Sequence, residues 1–393
     1  MKVLVINPGS YSIKSKMIDF DGGNHIAVSV NDIGLNSSYI KMESTSQQRQ
    51  FSTPISNHGM GINLLLSTFA DVLSSCNTTL NDIDAVAVRV VSVPDLSFAV
   101  AKATKSLIGK LKENAYLSPV HQGVACEILQ NCRTVFKDRV YIVSDSSFYQ
   151  DIPLCNSLYA IDRNDALTFN IKKNGFHGFS HQYMYEAVKQ ITQKDDLKVI
   201  SCHLGGGSSV SAIKGGHCID TSMGFSPSSG LPMSTRCGDI DAVAVLELMQ
   251  RKNMTVSDTI LYLNTQCGFK GLSQISGDFK EIRASALDGE ESAILTLQNF
   301  IYNVKKYIGS YYALLNGADC IVFTGAISNY NPDLLKKICQ EISALGIDVM
   351  AQSEVVAEGV LKLTSASSNI QVYSLKTDEE AIIAKTVKCY LSK

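Results

Sequence analysis

Five short runs of apolar, mostly β-branched residues predict buried strands. They cover residues 2–6, 85–91, 140–143, 199–202 and 320–323, and their continuous apolar character is typical of strands covered on both faces. Longer amphipathic segments lie between them. In the clearest of these, residues 290–315 carry apolar side chains at helical spacing and end at Asn316-Gly317, a common helix C-terminus. The alternation of strands and helices predicts an α/β fold.

A repeated segment predicts that the fold contains a duplication. Residues 2–10 line up with residues 198–206, almost half of the 393-residue chain apart. Each copy reads as a strand, a tight glycine turn, small hydroxyl residues and a second apolar strand that ends in Gly-Gly. Two similar hairpins half a chain apart indicate a duplicated domain. The alternative is coincidence, because strands followed by glycine turns are common in α/β proteins.

Composition excludes several classes of partner. Thirty-five Lys and Arg residues face thirty-seven Asp and Glu residues, for a net charge of −2. This balance offers no broad positive field to a nucleic acid or an anionic membrane, so we expect neither as a partner.

The apolar run at the amino terminus is too short for a signal peptide. Eleven scattered cysteines without a C-x-x-C pair suit reduced thiols, and a cytoplasmic location is predicted.

Two glycine turns are candidates for holding phosphate. The chain contains no G-K-[ST] sequence, and residues 205–210 lack the third glycine of the dinucleotide fingerprint, which excludes both common nucleotide motifs. What remains is a hairpin turn whose backbone N–H groups and hydroxyls hold phosphate oxygens. The alternative is an ordinary solvated hairpin face. The candidate residues are Ser10, Ser12, Lys14, Gly205, Gly206, Gly207 and Ser208.

A histidine and two arginines are the other candidates for chemistry. His177 lies between glycines just ahead of a predicted helix that Ser180 could cap; the alternative is a histidine that only caps or packs. Arg236 is the single arginine in the long, small-residue segment 220–239, and loops of that kind are usually functional or disordered. Arg89 ends a predicted strand.

Several motifs together resemble the acetate kinases, the acetokinase group of the actin-like ATPase superfamily, over nearly the whole chain. They are Asn7-x-Gly9-Ser10-x-Ser12-x-Lys14, Gly175-Phe176-His177-Gly178-x-Ser180-His181, His203-Leu204-Gly205-x-Gly207-Ser208-Ser209, Thr221-Ser222-Met223-Gly224-Phe225 and Thr235-Arg236-Cys237-Gly238-Asp239-Ile240-Asp241.

The resemblance implies both a fold and a reaction. The implied fold is two duplicated ribonuclease-H-like (actin-like ATPase) domains with an interdomain cleft: residues 1–149, completed by a C-terminal helix at 381–393, and residues 150–380. The implied reaction is reversible phosphoryl transfer between ATP and acetate, giving ADP and acetyl phosphate, with Mg²⁺ and a homodimer.

By motif position, the resemblance also assigns roles to residues. Catalytic roles go to Arg89, Asp145, His177 and Arg236, and the metal to Asn7 and Glu379. The acyl pocket is assigned to Val91, Val120, Phe176 and Pro227, with His121 as a further substrate residue. The phosphates and nucleoside are assigned to the hairpin residues named above together with His203, Gly325, Ala326 and Ile327. For Glu379 the alternative is that it only stabilises the N-terminus of a helix, because Thr377-x-x-Glu380 is a capping box.

The departures from the family pattern keep alternatives open. Ser92-Val93-Pro94 replaces a histidine and two glycines, Tyr149 replaces a histidine, and Gly206 replaces an asparagine. Ala326 and Ser328 replace glycines in the family's adenosine loop, and we expect their β-carbons to weaken recognition of the nucleoside. The alternatives are a propionate- or butyrate-type kinase, a donor other than ATP such as pyrophosphate, and a catalytically weak paralogue that binds phosphate or nucleotide.

Overall fold

The computed structural model describes two compact units. The described residues are 1–9, 11–23, 25–44, 47–75, 78–91, 98–113 and 119–393, and the side chains of residues 119–121 lie outside that description. Unit 1 consists of Met1–Ser147 and Asp378–Lys393, and unit 2 consists of Phe148–Thr377. No helix among the described residues is both long and apolar enough to cross a membrane.

Unit 1 is built on an eight-stranded mixed sheet. Its strands are β1 (Lys2–Pro8), β2 (Ile13–Asp19), β3 (His25–Asn31), β4 (Tyr39–Ser44), β5 (Gln48–Ser52), β6 (Ala85–Val90), β7 (Val100–Lys102) and β8 (Val140–Ser144), in the spatial order β5-β4-β3-β2-β1-β6-β8-β7. The first five form antiparallel pairs, whereas β6 runs parallel to β1 and β8 parallel to β6.

Helices lie against both faces of this sheet. They are α1 (His58–Ser75), α2 (Lys105–Glu113), α3 (Pro119–Phe136) and, from the far end of the chain, α14 (Glu379–Leu391). Leu4 and Ile6 join the core that α1 and α3 cover. Because side chains alternate along a strand, Val3 and Val5 turn to the other face, and α14 contacts β1, β2, β6 and β8. Burial on both faces explains why β1 is apolar at consecutive positions.

Unit 2 repeats the central part of this arrangement. Its strands are β9 (Lys198–Leu204), β10 (Ser208–Lys214), β11 (His217–Thr221), β12 (Cys320–Thr324), β13 (Val349–Ala357), β14 (Val360–Thr364) and β15 (Gln371–Leu375), in the order β11-β10-β9-β12-β15-β14-β13. As in β3-β2-β1-β6-β8, three antiparallel strands are followed by two parallel ones. The strands β1 and β9 begin at the two lysines that the sequence repeat aligned, so the predicted duplication is confirmed.

Ten helices belong to unit 2. They are α4 (Leu154–Ser157), α5 (Arg163–Thr168), α6 (Gly178–Thr192), α7 (Ala242–Arg251), α8 (Val256–Thr265), α9 (Gly268–Ser273), α10 (Phe279–Leu287), α11 (Glu291–Leu315), α12 (Ala326–Tyr330) and α13 (Pro332–Gln340). The long helix α11 packs Phe300, Val304 and Ile308 onto one face of the sheet. Met184 and Val188 of α6 pack onto the other face. The helix predicted at 290–315 is confirmed, with Asn316 in the left-handed region as its cap.

Candidate active site

The carboxyl ends of neighbouring parallel strands bring the unit 1 candidates together. Asn7 lies near the end of β1, Arg89 near the end of β6, and Asp145 directly after β8. Arg89 Nη2 lies 3.0 Å from Asp145 Oδ2, and Arg89 Nη1 donates to Asn7 Oδ1 at 3.2 Å. The Asp145 side chain is fully buried. The sequence separates these three residues by up to 138 positions, and only the sheet order makes them neighbours.

Asn7 also connects this group to the start of α14. Its Nδ2 donates to Glu379 Oε2 at 3.1 Å and to Glu380 Oε1 at 3.0 Å. Burial acts to lower the pKa of Arg89, but the carboxylates of Asp145, Glu379 and Glu380 together raise it above its ordinary value. Burial raises the pKa of Glu380, although the Asn7 hydrogen bond opposes that shift. Three carboxylates therefore stabilise the positive charge of Arg89.

The start of α14 differs from its prediction. The N-cap is Asp378, whose carboxylate accepts from Ala381 N at 3.0 Å, and Lys16 Nζ holds its other oxygen at 2.5 Å. The predicted Thr377-x-x-Glu380 capping box is therefore wrong. Glu380 reaches Asn7 instead, which makes it a site residue that sequence reasoning missed. The local sequence around Glu380 fits a capping box. It carries no sign that the distant Asn7 amide binds the same carboxylate.

The acidic residues beside Asn7 suit a hard cation. Among the described residues, no group of three or more His, Cys, Asp or Glu side chains could hold a metal ion alone. Mg²⁺, however, commonly takes one or two protein carboxylates and fills its other positions with water and substrate phosphate. The carboxylates of Glu379 and Glu380 at the start of α14 are ligands of that kind, and the Asn7 Nδ2 group holds them close together. This pair of carboxylates therefore fits Mg²⁺.

The first glycine turn joins β1 to β2 beside this cluster. Gly9 N donates to Ser12 O at 2.7 Å, which closes the turn, and the exposed Lys14 lies opposite Asn7 in the strand register. Val91 follows β6 and is half-buried. Other predicted positions lie outside the described residues: Ser10, the departures Ser92, Val93 and Pro94, and the side chains of Val120 and His121.

The second glycine turn brings the unit 2 candidates together. Between β9 and β10, Gly205 N donates to Gly207 O at 3.1 Å and to Ser208 Oγ at 3.2 Å. A β-carbon at Gly207 would lie 3.3 Å from the His177 ring and 3.5 Å from Arg236 Nη1. The turn therefore lies beside both an imidazole and a guanidinium, and the missing β-carbon at Gly207 leaves the space next to them open.

His177 is held in an unusual conformation at the start of α6. Its φ of 61° lies in the left-handed region, its ring stacks on His203 with 4.3 Å between centroids, and its Nδ1 lies 2.9 Å from Ser209 Oγ. The predicted helix cap is wrong: α6 begins at Gly178 with His177 as its N-cap, so Ser180 lies inside the helix. Ser180 Oγ instead lies 2.7 Å from His203 Nδ1.

Arg236 differs from Arg89 in its electrostatic surroundings. Its Nη1 donates to the Pro227 carbonyl at 3.2 Å. Burial lowers its pKa, and within the described ranges no carboxylate acts to raise it. An arginine stays protonated in proteins, so Arg236 keeps an unneutralised positive charge beside the Gly207 turn. Phe176 is buried one residue before His177, and Pro227 lies in the same loop as Arg236.

Comparison with known proteins gives this geometry a family. The model of the Acetokinase family matches residues 2–385. Acetate kinase 2 of Clostridium perfringens is 34% identical over all of both chains. The structure of Porphyromonas gingivalis acetate kinase superposes with a TM-score of 0.84 at 28% identity over 99% of each chain. A propionate kinase from Francisella tularensis superposes with a TM-score of 0.87 at 27% identity over 98% of each chain.

The chain belongs to the acetokinase family. The resemblance drawn from the motifs is thus confirmed, and so is the fold of duplicated actin-like ATPase domains that it implied.

One departure from the acetokinase pattern leaves the backbone in an ordinary helical conformation. Ala326 and Ser328 lie in α12, where neither needs the conformational freedom of glycine. The residue that does need it is Gly325, which has a φ of 92° and lies against the Leu204 backbone. Ile327 packs into the core and Ser328 is buried. The two β-carbons therefore put no strain on the backbone, and the expected weakening of nucleoside recognition stays a prediction.

The buried His181 generates a prediction for stability against pH. Burial holds its pKa well below the ordinary value of 6.5, so below about pH 6.5 the unfolded chain binds a proton that the folded chain does not. The free energy of unfolding should fall by up to about 1.4 kcal/mol per pH unit from this group as the pH drops from 6.5 to 5.

Denaturant titrations at several pH values check this prediction. His181→Asn should remove that part of the slope, whereas the control His25→Asn, at an exposed position, should keep it. An unchanged slope in His181→Asn would show that His181 does not resist protonation.

Proposed function

We propose that the protein is a short-chain carboxylate kinase that transfers a phosphoryl group reversibly between ATP and acetate, giving ADP and acetyl phosphate. The observation that carries the proposal is the Gly207 turn, which lies beside both His177 and Arg236 in a chain of the acetokinase family. Backbone N–H groups in such a turn suit phosphate oxygens.

The chemistry of acetate explains why the site needs cations rather than a base. A carboxylic acid with a pKa of about 4.3 is ionised at pH 7, so the nucleophile needs no deprotonation. Two anions must approach each other, and negative charge then spreads over the transferring phosphoryl oxygens. Positive groups aimed at those oxygens stabilise the transition state. Asp145 is buried and paired with Arg89, which suits it to orient that arginine rather than to act as a base.

Each unit supplies a distinct part of this chemistry. In unit 2, the residues from Gly205 to Ser208 hold phosphate oxygens, Arg236 stabilises the charge that develops, and His177 contacts the transferring group. In unit 1, Arg89 binds the substrate carboxylate, while Asn7, Glu379 and Glu380 would hold Mg²⁺. When bound, Mg²⁺ neutralises part of the phosphate charge.

A panel of substrates tests the proposal. Hydroxylamine trapping of acyl phosphate should give product with acetate and ATP in the presence of Mg²⁺. Because a single methylene is worth only about 1–3 kcal/mol of discrimination, propionate should also react, and the similarity to a propionate kinase makes it the second acyl substrate to compare. Butyrate, GTP and pyrophosphate complete the panel. No product with any combination would contradict the proposal and favour a paralogue that only binds phosphate.

Arg236→Ala should lower kcat by about 10³-fold or more with a smaller effect on KM, because an arginine on developing phosphoryl charge acts mainly in the transition state. Steady-state kinetics with the exposed Arg163→Ala as control check this. A variant that keeps kcat and loses only KM would assign Arg236 to ground-state binding.

Glu379→Ala should strongly raise the Mg²⁺ concentration needed for half-maximal activity, because it removes a carboxylate from the cation's donor set. The matched control is Glu291→Ala, which removes another acidic residue from the first turn of a helix. A Glu379→Ala protein that loses only thermal stability, with unchanged Mg²⁺ dependence, would favour the helix-start alternative.

We also propose that two copies assemble as a homodimer through α7 and α8. The helix α7 has no buried residue, and Val243 and Leu246 are 72% and 62% exposed. Val256 and Leu261 of α8 are also exposed, and the two helices contact each other. Exposed apolar faces of this kind usually mark an interaction site.

Light scattering should give the dimer mass for the original protein and the monomer mass for Val243→Glu/Leu246→Glu. The control Leu287→Glu changes an exposed leucine at the end of α10 and should stay dimeric. A monomeric original protein would contradict the proposed assembly.

A cytoplasmic location is part of the same proposal. ATP is a cytoplasmic donor, and the ten described cysteines are all free thiols, as a reducing compartment favours.

A further inference from the structure

We propose that Tyr149, His181 and Ser209 are positioning residues that hold the backbone and the imidazole of His177 in one orientation and one tautomer. The inference rests on the proposed function, in which His177 contacts the transferring phosphoryl group. All four residues belong to unit 2.

Tyr149 holds the backbone that leads into His177. Its ring lies against Gly175, which has a φ of 72°, and its hydroxyl donates to the Phe176 carbonyl. His177 itself has a φ of 61°, a conformation that is uncommon for a residue with a β-carbon. The two residues before His177 are thus fixed by one side chain. In the family pattern a histidine stands at position 149. In this chain the tyrosine at that position holds the backbone before His177.

Ser209 and His181 hold the ring of His177. Ser209 Oγ lies 2.9 Å from His177 Nδ1 and 2.8 Å from His181 Nε2. The other nitrogen of His181, Nδ1, lies 2.6 Å from Ser201 Oγ. His181 is fully buried, and burial keeps it neutral by lowering its pKa. A neutral imidazole has one donor and one acceptor nitrogen, so the chain of hydrogen bonds runs in a single direction.

The last hydrogen bond of this series, made by Ser201, sets its direction. The Ser201 hydroxyl donates to the Ser211 carbonyl at 3.4 Å, so Ser201 Oγ accepts from His181 Nδ1. His181 Nε2 then accepts from the Ser209 hydroxyl, and Ser209 Oγ accepts from His177 Nδ1. Each polar hydrogen in this series of hydrogen bonds then has one acceptor.

The consequence for His177 follows from this assignment. Its Nδ1 carries the proton, and its Nε2 lies on the side of the Gly207 turn, where a β-carbon would be 3.3 Å away. A second proton on His177 can therefore only enter at Nε2, which faces the turn proposed to hold phosphate. The tautomer of a histidine is set by the hydrogen bond that its other nitrogen makes, so Ser209 determines which nitrogen acts in the reaction.

Substitutions at Ser209 test the kinetic effect. Ser209→Ala should lower kcat about 10- to 100-fold with KM changed less than about threefold, as expected when a supporting hydrogen bond to a functional side chain is lost. Ser209→Thr keeps the hydroxyl and should restore kcat to within about threefold. The matched control is Ser211→Ala, a buried serine of the same strand whose hydroxyl bonds Thr221, and it should keep kcat within about threefold. An unchanged kcat in Ser209→Ala, or an equal loss in Ser211→Ala, would overturn the proposal.

Nitrogen-15 NMR of histidine-labelled protein tests the tautomer without substrate, so its result does not depend on the proposed function. The His177 signals, identified by their loss in His177→Gln, should show a protonated Nδ1 in the original protein and a changed tautomer in Ser209→Ala. An unprotonated Nδ1 in the original protein would contradict the assigned direction.

Tyr149→Phe separates the two supports, because it keeps the ring against Gly175 and removes only the hydroxyl donor. We expect kcat to fall about tenfold as His177 loses its fixed backbone. An unchanged kcat would remove Tyr149 from the set of positioning residues.

Discussion

The buried ion pair between Arg89 and Asp145 is the interaction on which the unit 1 cluster depends. Asp145 is fully buried, and removing one partner of a buried pair leaves an uncompensated charge that costs about 3–5 kcal/mol. The pair also fixes Asn7, which accepts from Arg89 and donates to both glutamates at the start of α14. The start of the last helix is therefore bonded to the first strand through Asn7, whose amide oxygen Arg89 holds.

Arg236 of unit 2 has the opposite electrostatic surroundings. Arg236 is desolvated and has no carboxylate partner in the part of the chain that the structure describes, and its guanidinium lies beside a glycine turn. Such a charge is unfavourable for stability alone, and an anion at the turn would relieve that cost. The two arginines thus differ in their surroundings: Arg89 is held by an acid and organises a carboxylate cluster, whereas Arg236 is the one proposed above to act on an anionic substrate.

The sequence predicted the parts of the fold and site that local patterns encode. Buried strands such as β1 and β12 have continuous apolar runs. The similarity of residues 2–10 and 198–206 predicted the duplication. The resemblance assigned His177 and Arg236 to one site, and the structure brings both beside the Gly207 turn. Pairings between distant residues could not be predicted: Glu380 matches a capping box locally, yet Asn7 holds it from 373 positions away. The helix α12 around Ala326 could not be predicted either, because it depends on the packing of Ile327 into the core.

The most direct test of the central claim is the reverse reaction, ATP formation from acetyl phosphate and ADP by the purified protein. Phosphorus-31 NMR in the presence of Mg²⁺ follows both phosphates at once. We predict that the acetyl phosphate signal declines as the γ-phosphate signal of ATP grows in equal amount, and that Arg236→Ala abolishes this exchange. Acetyl phosphate that declines only to inorganic phosphate, or an exchange that Arg236→Ala leaves intact, would contradict the account.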